Sequence, residues 1–318
     1  MKLSSKWTQL AALAVLVAVL PLFFPSGYYY RVGALIFVNG LAVTGLVILI
    51  GYAGQISLGH AGFAGIGAYA CALAPEHLGL PPSLAILLGA VISALLAVLI
   101  GKPILRLRGY YLAVATLGFG ILVSMVLTNE RALTGGPDGM AVQGLALRKI
   151  LRGWGWKLSS GEFWYILSAL AMLVGVWIAL NLFQSATGRA MRALHGSEVA
   201  ARTVGIDVAR LKLQAFVISA VYASVAGSLL ALQNQFVTPD IAGFMHSIEM
   251  VTMAVLGGVG SVLGAVTGSA ILTLLPQVLT VFAEYEQVVL GLVMILVMIF
   301  LPRGLLPSIV AKLKGRGE

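Results

Sequence analysis

Charged side chains are scarce in this sequence, at 10% of the 318 residues, whereas apolar residues make up 60%. Soluble domains average about 25% charged and roughly 45–50% apolar residues. So few polar side chains cannot cover a water-soluble fold, which leaves lipid as the solvent. Within a bilayer only helices and closed barrels pair every backbone group internally. The apolar runs are about 20 residues long and lack the alternation of barrel strands, so the sequence predicts an all-α membrane bundle.

Cysteine and the common catalytic motifs are nearly absent too. Cys71 is the single cysteine, so it can form neither an intrachain disulfide nor one half of a CxxC motif. The four histidines are scattered, and neither HExxH nor a nucleophile elbow occurs. No GxxxxGK[ST] loop is present to hold a nucleotide. These absences predict no metal, no cofactor and no ATPase activity, although the catalytic groups of an intramembrane enzyme could still converge from distant helices.

The apolar segments predict about ten membrane spans within one transmembrane domain, residues 1–318. The segments are 9–24, 33–50, 52–74, 83–101, 110–128, 163–183, 213–233, 246–258, 262–282 and 287–302. The eighth is short and ends in glycine, which predicts a partial or broken helix. The first begins like a signal peptide but lacks a small-residue cleavage site, so we expect it to stay as a helix.

The formal charge of +9 indicates membrane topology rather than nucleic acid binding, because the basic residues lie in loops between the apolar runs. Most of them fall on the side that holds both termini and the loop 184–212. This side is therefore predicted to be cytoplasmic, which makes 129–162 an extracytoplasmic loop. The loop 129–162 carries basic residues of its own, which oppose this orientation, but long loops follow the rule less strictly.

The cytoplasmic loop contains the motif SEVAARTVGID at 197–207, which predicts a short helix. Ser197 is a suitable N-cap, good helix formers follow it, and Gly205 suits the helix end. One interpretation is a solvated basic loop. The other is a docking helix that couples this chain to an ATPase partner, since the chain has no P-loop. The predicted coupling residues are Arg189, Arg192, Glu198, Ala200, Ala201, Arg202 and Gly205.

Polar residues within apolar segments are candidates for a solute pathway, because they are costly in lipid unless they pair or line water. Gln55, Ser57 and His60 lie among six glycines in the segment 51–67, where the chain can unwind or pack tightly. The alternative interpretation is that these three side chains only form hydrogen bonds between helices. His246 and Glu249 are three residues apart on one predicted helix face, where they could pair or simply be hydrated.

The glycines after residue 256 predict close helix packing. The string GGVGSVLG at 257–264 superficially resembles a nucleotide-binding turn, but it lies inside an apolar run and lacks a preceding strand. Gly260, Gly264 and Gly268 are spaced by four residues, which favours close approach of another helix.

Several motifs together resemble the branched-chain amino-acid ABC transporter permeases, and specifically their M-type subunit. They occur in the family's order: GYAGQISLGHAGFAGIGAY (51–69), RGYYLAVATLGFG (108–120), LTGGPDG (133–139), GRAMRALHGSEVAARTVGI (188–206) and MAVLGGVGSVLGAVTGSA (253–270). The resemblance covers roughly residues 30–305. It implies the ABC importer permease fold, and an ATPase-contacting motif at Glu198, Ala200, Ala201 and Gly205 in a form that differs from the longer consensus of other ABC importers.

The resemblance also implies the assembly. Such a permease pairs in the inner membrane with an H-type permease, is powered by two cytoplasmic ATPase subunits, and receives solute from a periplasmic or lipid-anchored binding protein. The loop residues that would face this binding protein are Thr134, Gly135, Gly136, Asp138 and Gly139. The expected function is ATP-driven import of branched-chain or other hydrophobic amino acids. The alternatives are an importer of urea or short amides, and a secondary transporter driven by an ion gradient.

Overall fold

A computed structural model of the chain describes residues 4–145, 147, 153, 158–278, 288, 291, 292, 295, 299 and 304–308. The helices that it defines are α1 (Ser4–Val19), α2 (Gly27–Val47), α3 (His60–Leu78), α4 (Pro82–Ile104), α5 (Tyr110–Asn129), α6 (Arg131–Thr134), α7 (Ser160–Gln184), α8 (Ala186–Gly196), α9 (Glu198–Thr203), α10 (Val208–Asn234), α11 (Phe244–Gly257) and α12 (Val262–Val278). A π-helical turn, Ile48–Tyr52, extends α2.

The long apolar runs form helices because a helix pairs its own backbone groups, as a bilayer requires. Within the described residues, five helices are long and apolar enough to cross a membrane: α2 with its extension, α4, α5, α7 and α10. The bent pair α11 and α12 makes a sixth if it counts as one span. The predicted all-α membrane bundle is therefore confirmed, but the number of about ten spans is not. The predicted span 287–302 and the end of 262–282 lie largely outside the described residues.

Helix α10 forms the centre of the bundle, where it packs against α2, α3 and α4. Its contact with α3 is close enough to bring backbones together. The Ser228 hydroxyl of α10 donates to the carbonyl of Gly67 at 2.9 Å, and Gly227 lies against the backbone of Ala64. Small residues allow such an approach, which is the usual basis of helix association in lipid.

Helices α4, α5 and α7 are peripheral. Large apolar side chains such as Leu99, Leu122 and Leu170 are more than half exposed on these helices. Such a surface would be unfavourable in water, and it fits contact with lipid or with another membrane subunit. The periphery is therefore apolar and the centre is small-residue-rich, as expected for a protein that is dissolved in a bilayer.

The only strands in the described residues are the two-residue β1 (Met140–Ala141) and β2 (Phe236–Val237). They pair antiparallel, with Met140 opposite Val237. This small ladder joins the TGGPDG loop after α5 to the chain that leaves α10. It fixes the loop at one end of the bundle.

Candidate translocation site

The membrane segment after α2 does not continue as a regular helix. The π-helical turn Ile48–Tyr52 is wider than an α-helical turn, a distortion that is frequent at functional sites. Residues 54–59 form no helix, and α3 begins at His60. The predicted span 52–74 is therefore interrupted near its start, within its glycine-rich part. We call residues 48–59 the polar break.

Backbone groups that the polar break exposes are paired by hydroxyls of neighbouring helices. The Leu58 amide donates to Oγ1 of Thr116 on α5 at 3.1 Å. The Ala61 amide, in the first turn of α3, donates to Oγ of Ser247 on α11, also at 3.1 Å. Because lipid offers no alternative partner, each of these hydroxyls satisfies a donor that would otherwise be unpaired.

His60 connects the polar break to the central helix. Its Nδ1 lies 2.7 Å from Oγ of Ser57 in the break, and its Nε2 lies 2.5 Å from Oγ of Ser219 on α10. All three side chains are buried, and the rings of Phe63 and Phe216 pack against the imidazole. A neutral imidazole has one donor and one acceptor nitrogen, so one serine accepts from it and the other donates to it. We call Ser57, His60, Thr116, Ser219 and Ser247 the polar junction.

Gln55 leaves one hydrogen-bond acceptor unused in this region. Its side chain is 5% exposed, and its Nε2 donates to the carbonyl of Ala53 at 3.1 Å. Among the described residues, its Oε1 has no hydrogen-bond partner. Burying a carbonyl oxygen without a hydrogen-bond partner costs free energy, so this atom is suited to accept a hydrogen bond from an N–H group of a bound solute.

A second interruption separates α11 from α12. The chain bends by 119° between the two helices. The segment 246–258, predicted to be a partial or broken helix, is therefore followed by a sharp turn. Glycines make the bend compact: a side chain on Gly257 would overlap the carbonyl of Gly264, and one on Gly268 would overlap that of Met253. Gly260 lies in the turn, with no atom within 4 Å of where its Cβ would be. We call residues 257–261 the glycine break.

The two breaks touch each other. The Cα of Gly51 faces the carbonyl of Val259 so closely that a Cβ on residue 51 would overlap this oxygen. Two interrupted membrane segments thus pack together. Interrupted helices in contact are typical of sites where transporters hold solutes and ions.

His246 and Glu249, predicted as pathway candidates, pair with each other but lie outside the polar junction. His246 Nδ1 is 3.3 Å from Glu249 Oε2, and the Glu249 side chain is 46% exposed. Between them in sequence, Ser247 is the residue of α11 that reaches the Ala61 amide. The pair therefore flanks the junction from the first turns of α11.

The predicted coupling loop folds as α8 and α9 over a small core of its own, made of Leu194, Ala201 and Val208. The structure confirms the helix cap, since Oγ of Ser197 accepts from the Ala200 amide at 3.2 Å. The helix ends at Thr203, and Gly205 follows two residues later with a φ of +80°, in the region that favours glycine. Ala200 is exposed, whereas Ala201 is buried.

The carboxylate of Glu198 points into the protein rather than away from it. It hydrogen-bonds the ammonium of Lys212, a buried residue in α10, and lies 3.8 Å from the guanidinium of Arg108 in the α4–α5 turn. Arg108 and Arg202 are exposed beside it and line a cleft of about 470 Å³. The charge of Glu198 is therefore neutralised by residues of this chain.

The coupling loop also contacts the polar break directly. The ring of Phe183, at the end of α7, packs edge-to-face on the ring of Tyr52, with ring centroids 4.5 Å apart. The guanidinium of Arg192 in α8 lies 4.1 Å from the centroid of the Phe183 ring. Gly54 lies against His195, whose Nδ1 would be 3.1 Å from a Cβ on residue 54. α8 is thus in contact with the distorted end of α2. Arg189, in the first turns of α8, donates a hydrogen bond to the carbonyl of Gln184 at 3.0 Å.

The TGGPDG loop is rigidly anchored at the opposite end of α5. The buried Thr134 hydroxyl lies 2.7 Å from the Leu127 carbonyl and receives the Gly136 amide at 3.2 Å. Gly135, Gly136 and Gly139 all have φ near +70°, so the turn needs glycine at three positions. Asp138 is exposed at its tip. The roles predicted for these residues and for the coupling residues stay predictions.

Sequence reasoning missed Thr116, Ser219 and Ser247, which complete the junction, and Lys212 and Arg108, which hold Glu198. Single hydroxyls in apolar helices are common and usually bond a carbonyl of their own helix, as Thr44 does with Gly40 at 2.7 Å. No local signal separates them from those that bridge helices. Lys212 is the last residue of the loop 184–212, whose basic residues indicated membrane topology and nothing about a buried ion pair.

An all-helical membrane bundle with two interrupted segments in contact is typical of solute transporters, and comparison with known proteins identifies the family. The family "branched-chain amino acid transport system / permease component" matches residues 29–298. This chain belongs to that family. It is therefore a transport subunit and a multi-pass protein of the inner membrane.

Individual relatives agree with this assignment. The chain is similar to the high-affinity branched-chain amino acid transport system permease protein LivM of Escherichia coli (strain K12), with 34% identity over 323 aligned residues that cover 96% of this chain and 76% of that protein. Identity to LivM of Salmonella typhimurium is 36% over 288 residues, covering 85% and 68%. LivH of the same organism is 34% identical over 195 residues, covering 58% and 61%. No solved structure gives a significant match.

Proposed function

We propose that this chain is the M-type permease subunit of an ATP-driven importer of branched-chain and other hydrophobic amino acids. The observation that carries the proposal is the contact between the polar break and the glycine break. The polar break also contacts the charged loop of α8 and α9, which has a small core of its own. Among the similar proteins, two are named as permeases for branched-chain amino acids over most of the length of this chain.

The polar break suits a zwitterionic solute with an apolar side chain. Gln55 Oε1 can accept an N–H from an ammonium group. Hydroxyls of the junction can donate to a carboxylate once they exchange their present partners, and the rings of Phe63 and Phe216 offer an apolar wall. We propose Gln55, Ser57 and His60 as pathway residues, with His246 and Glu249 at the flank.

The proposed assembly has four kinds of component. An H-type permease would pair with this chain, as the similarity to LivH suggests. Two ATPase subunits would power the assembly from the cytoplasm, which also holds both termini, and α8 and α9 would be the docking site on this chain. A binding protein would deliver solute to the TGGPDG loop on the other face. This orientation follows from the excess of basic residues on the side of the 184–212 loop.

Reconstitution tests the proposal. Proteoliposomes that contain the chain with its second permease and ATPase subunits, and with the binding protein outside, should accumulate radiolabelled leucine only when ATP is inside. Urea and acetamide in the same assay test the second candidate, an amide importer. Accumulation that persists without ATP but stops when the ion gradient is collapsed would instead identify a secondary transporter.

A further inference from the structure

Lys212 carries a buried charge whose partner lies in the coupling loop. Its side chain is 5% exposed, and a buried ammonium is strongly unfavourable unless a carboxylate pairs with it. Glu198 is the only acid that pairs with it in the described part of the chain. Arg108 is 68% exposed and lies 3.8 Å from the same carboxylate, so solvent weakens its share of the interaction.

The pair adds a charged contact to the packing of α9 against α10. Helix α9 has six residues, of which Ala201 is buried in the small core of the loop. Moving α9 away from α10 would leave the Lys212 ammonium buried without a counter-ion. The two helices are therefore expected to move together when the loop is displaced.

Helix α10 connects this ion pair to the polar junction. Ser219 is seven residues after Lys212, which is about two turns and about 10 Å along the same helix face. The chain between them is continuous helix without proline. The hydroxyl of Ser219 forms a hydrogen bond with Nε2 of His60. Nδ1 of the same imidazole forms a hydrogen bond with the hydroxyl of Ser57 in the polar break.

We propose that Lys212 is the positioning residue through which the coupling loop moves the polar junction. It does not touch the solute. The Glu198–Lys212 pair transmits displacement of α9 to α10, and the Ser219–His60 contact passes it to the polar break. This inference rests on the proposed function, because it assigns the route by which ATPase motion reaches the pathway.

The test compares solute moved per ATP hydrolysed in proteoliposomes, normalised to the amount of assembled complex. Lys212→Met keeps the length of the side chain and removes its charge, and it should lower this ratio at least about fivefold, the usual lower range for coupling between sites. Glu198→Gln should lower it as well. The double variant should resemble Lys212→Met rather than show the product of both effects, since the two residues act as one pair.

Arg210→Gln is the matched control, because it removes an exposed cation from the same helix, two residues away. Arg210 has no ion pair in the described ranges, so the ratio should stay within about twofold of the wild type. A purely structural role for Lys212 would reduce the amount of complex and leave the ratio unchanged, which would overturn the proposal. An equal loss in Arg210→Gln would also overturn it. If the wild-type complex itself moves no solute with ATP, the proposed function fails first.

Discussion

The polar break and the glycine break are both interruptions of membrane helices, but different forces hold them. In the polar break, exposed backbone groups and side chains are paired through hydroxyls from α5, α10 and α11. In the glycine break, backbones of α11 and α12 approach each other directly at Gly257 and Gly264, with no side chain between them.

This difference indicates which break can change shape. A hydrogen bond can be exchanged for one to water or to a solute at a small net cost. A backbone contact has no side chain that could rotate away, so it moves only if whole helices separate. We therefore expect solute contacts and rearrangement at the polar break, and a fixed wall at the glycine break.

The largest effect is expected from Gly257→Val. Its side chain would overlap the Gly264 carbonyl, and because a backbone atom cannot rotate away, α11 and α12 would have to separate, at a cost above the roughly 1–3 kcal/mol that is typical of overpacking. Folded protein in detergent, measured by size exclusion and thermal unfolding, should be largely lost. Gly260→Ala, in the same turn but with open space at its Cβ, should behave as the wild type. Equal stability of both variants would contradict the fixed-wall interpretation.

His60→Ala should be next in size. It leaves the Ser57 and Ser219 hydroxyls without their buried partner, and each such group costs about 1–3 kcal/mol. We expect lower thermal stability together with loss of leucine uptake. His77→Ala, at the exposed end of the same helix, is the control and should retain both. Normal uptake by His60→Ala would remove the junction from the pathway.

Thr116→Val should have a moderate effect, because valine keeps the shape but removes the hydroxyl that accepts from the Leu58 amide and donates to the Ala113 carbonyl at 2.9 Å. The expected loss is about 1–3 kcal/mol in the free energy of unfolding, from one buried amide left unpaired. Ser93→Ala is the matched control, because Ser93 is as buried as Thr116 but its hydroxyl has no hydrogen-bond partner among the described residues. That variant should be neutral or slightly more stable. The same loss from both would show that the hydroxyl of Thr116 does not support the break.

Glu249→Gln should have the smallest effect on stability, less than about 1 kcal/mol, because its pair with His246 is partly solvated. If the pair flanks the pathway as proposed, uptake at low leucine concentration should nevertheless fall while the thermal unfolding temperature stays constant. Unchanged uptake at every concentration would leave the pathway to the polar junction alone.

Much of the site was accessible from sequence, and the reason is energetic. Gln55, Ser57 and His60 stood out because polar groups are costly in an apolar segment, and the surrounding glycines indicated that the helix could open there. Ser197 and Gly205 bounded α9 because caps depend on local chemistry. In contrast, the inward direction of the Glu198 side chain depends on α10, which no pattern near residue 198 reveals.

The number of spans shows a similar limit. Hydropathy located the apolar runs, but it treated 52–74 as one segment and could not state how sharply the chain turns after residue 257. Those features depend on which helices pack beside the breaks and supply partners for their backbone groups.

The sequence alone determined that this protein is a helical membrane bundle of the branched-chain permease type, because composition and the order of motifs can be read from the chain without its fold. Only the tertiary structure decided which hydroxyls close the polar break and which cation neutralises Glu198. Hydrogen bonds and ion pairs between residues far apart in sequence depend on distances that packing sets, and each of the residues involved has ordinary alternatives within its own helix or loop.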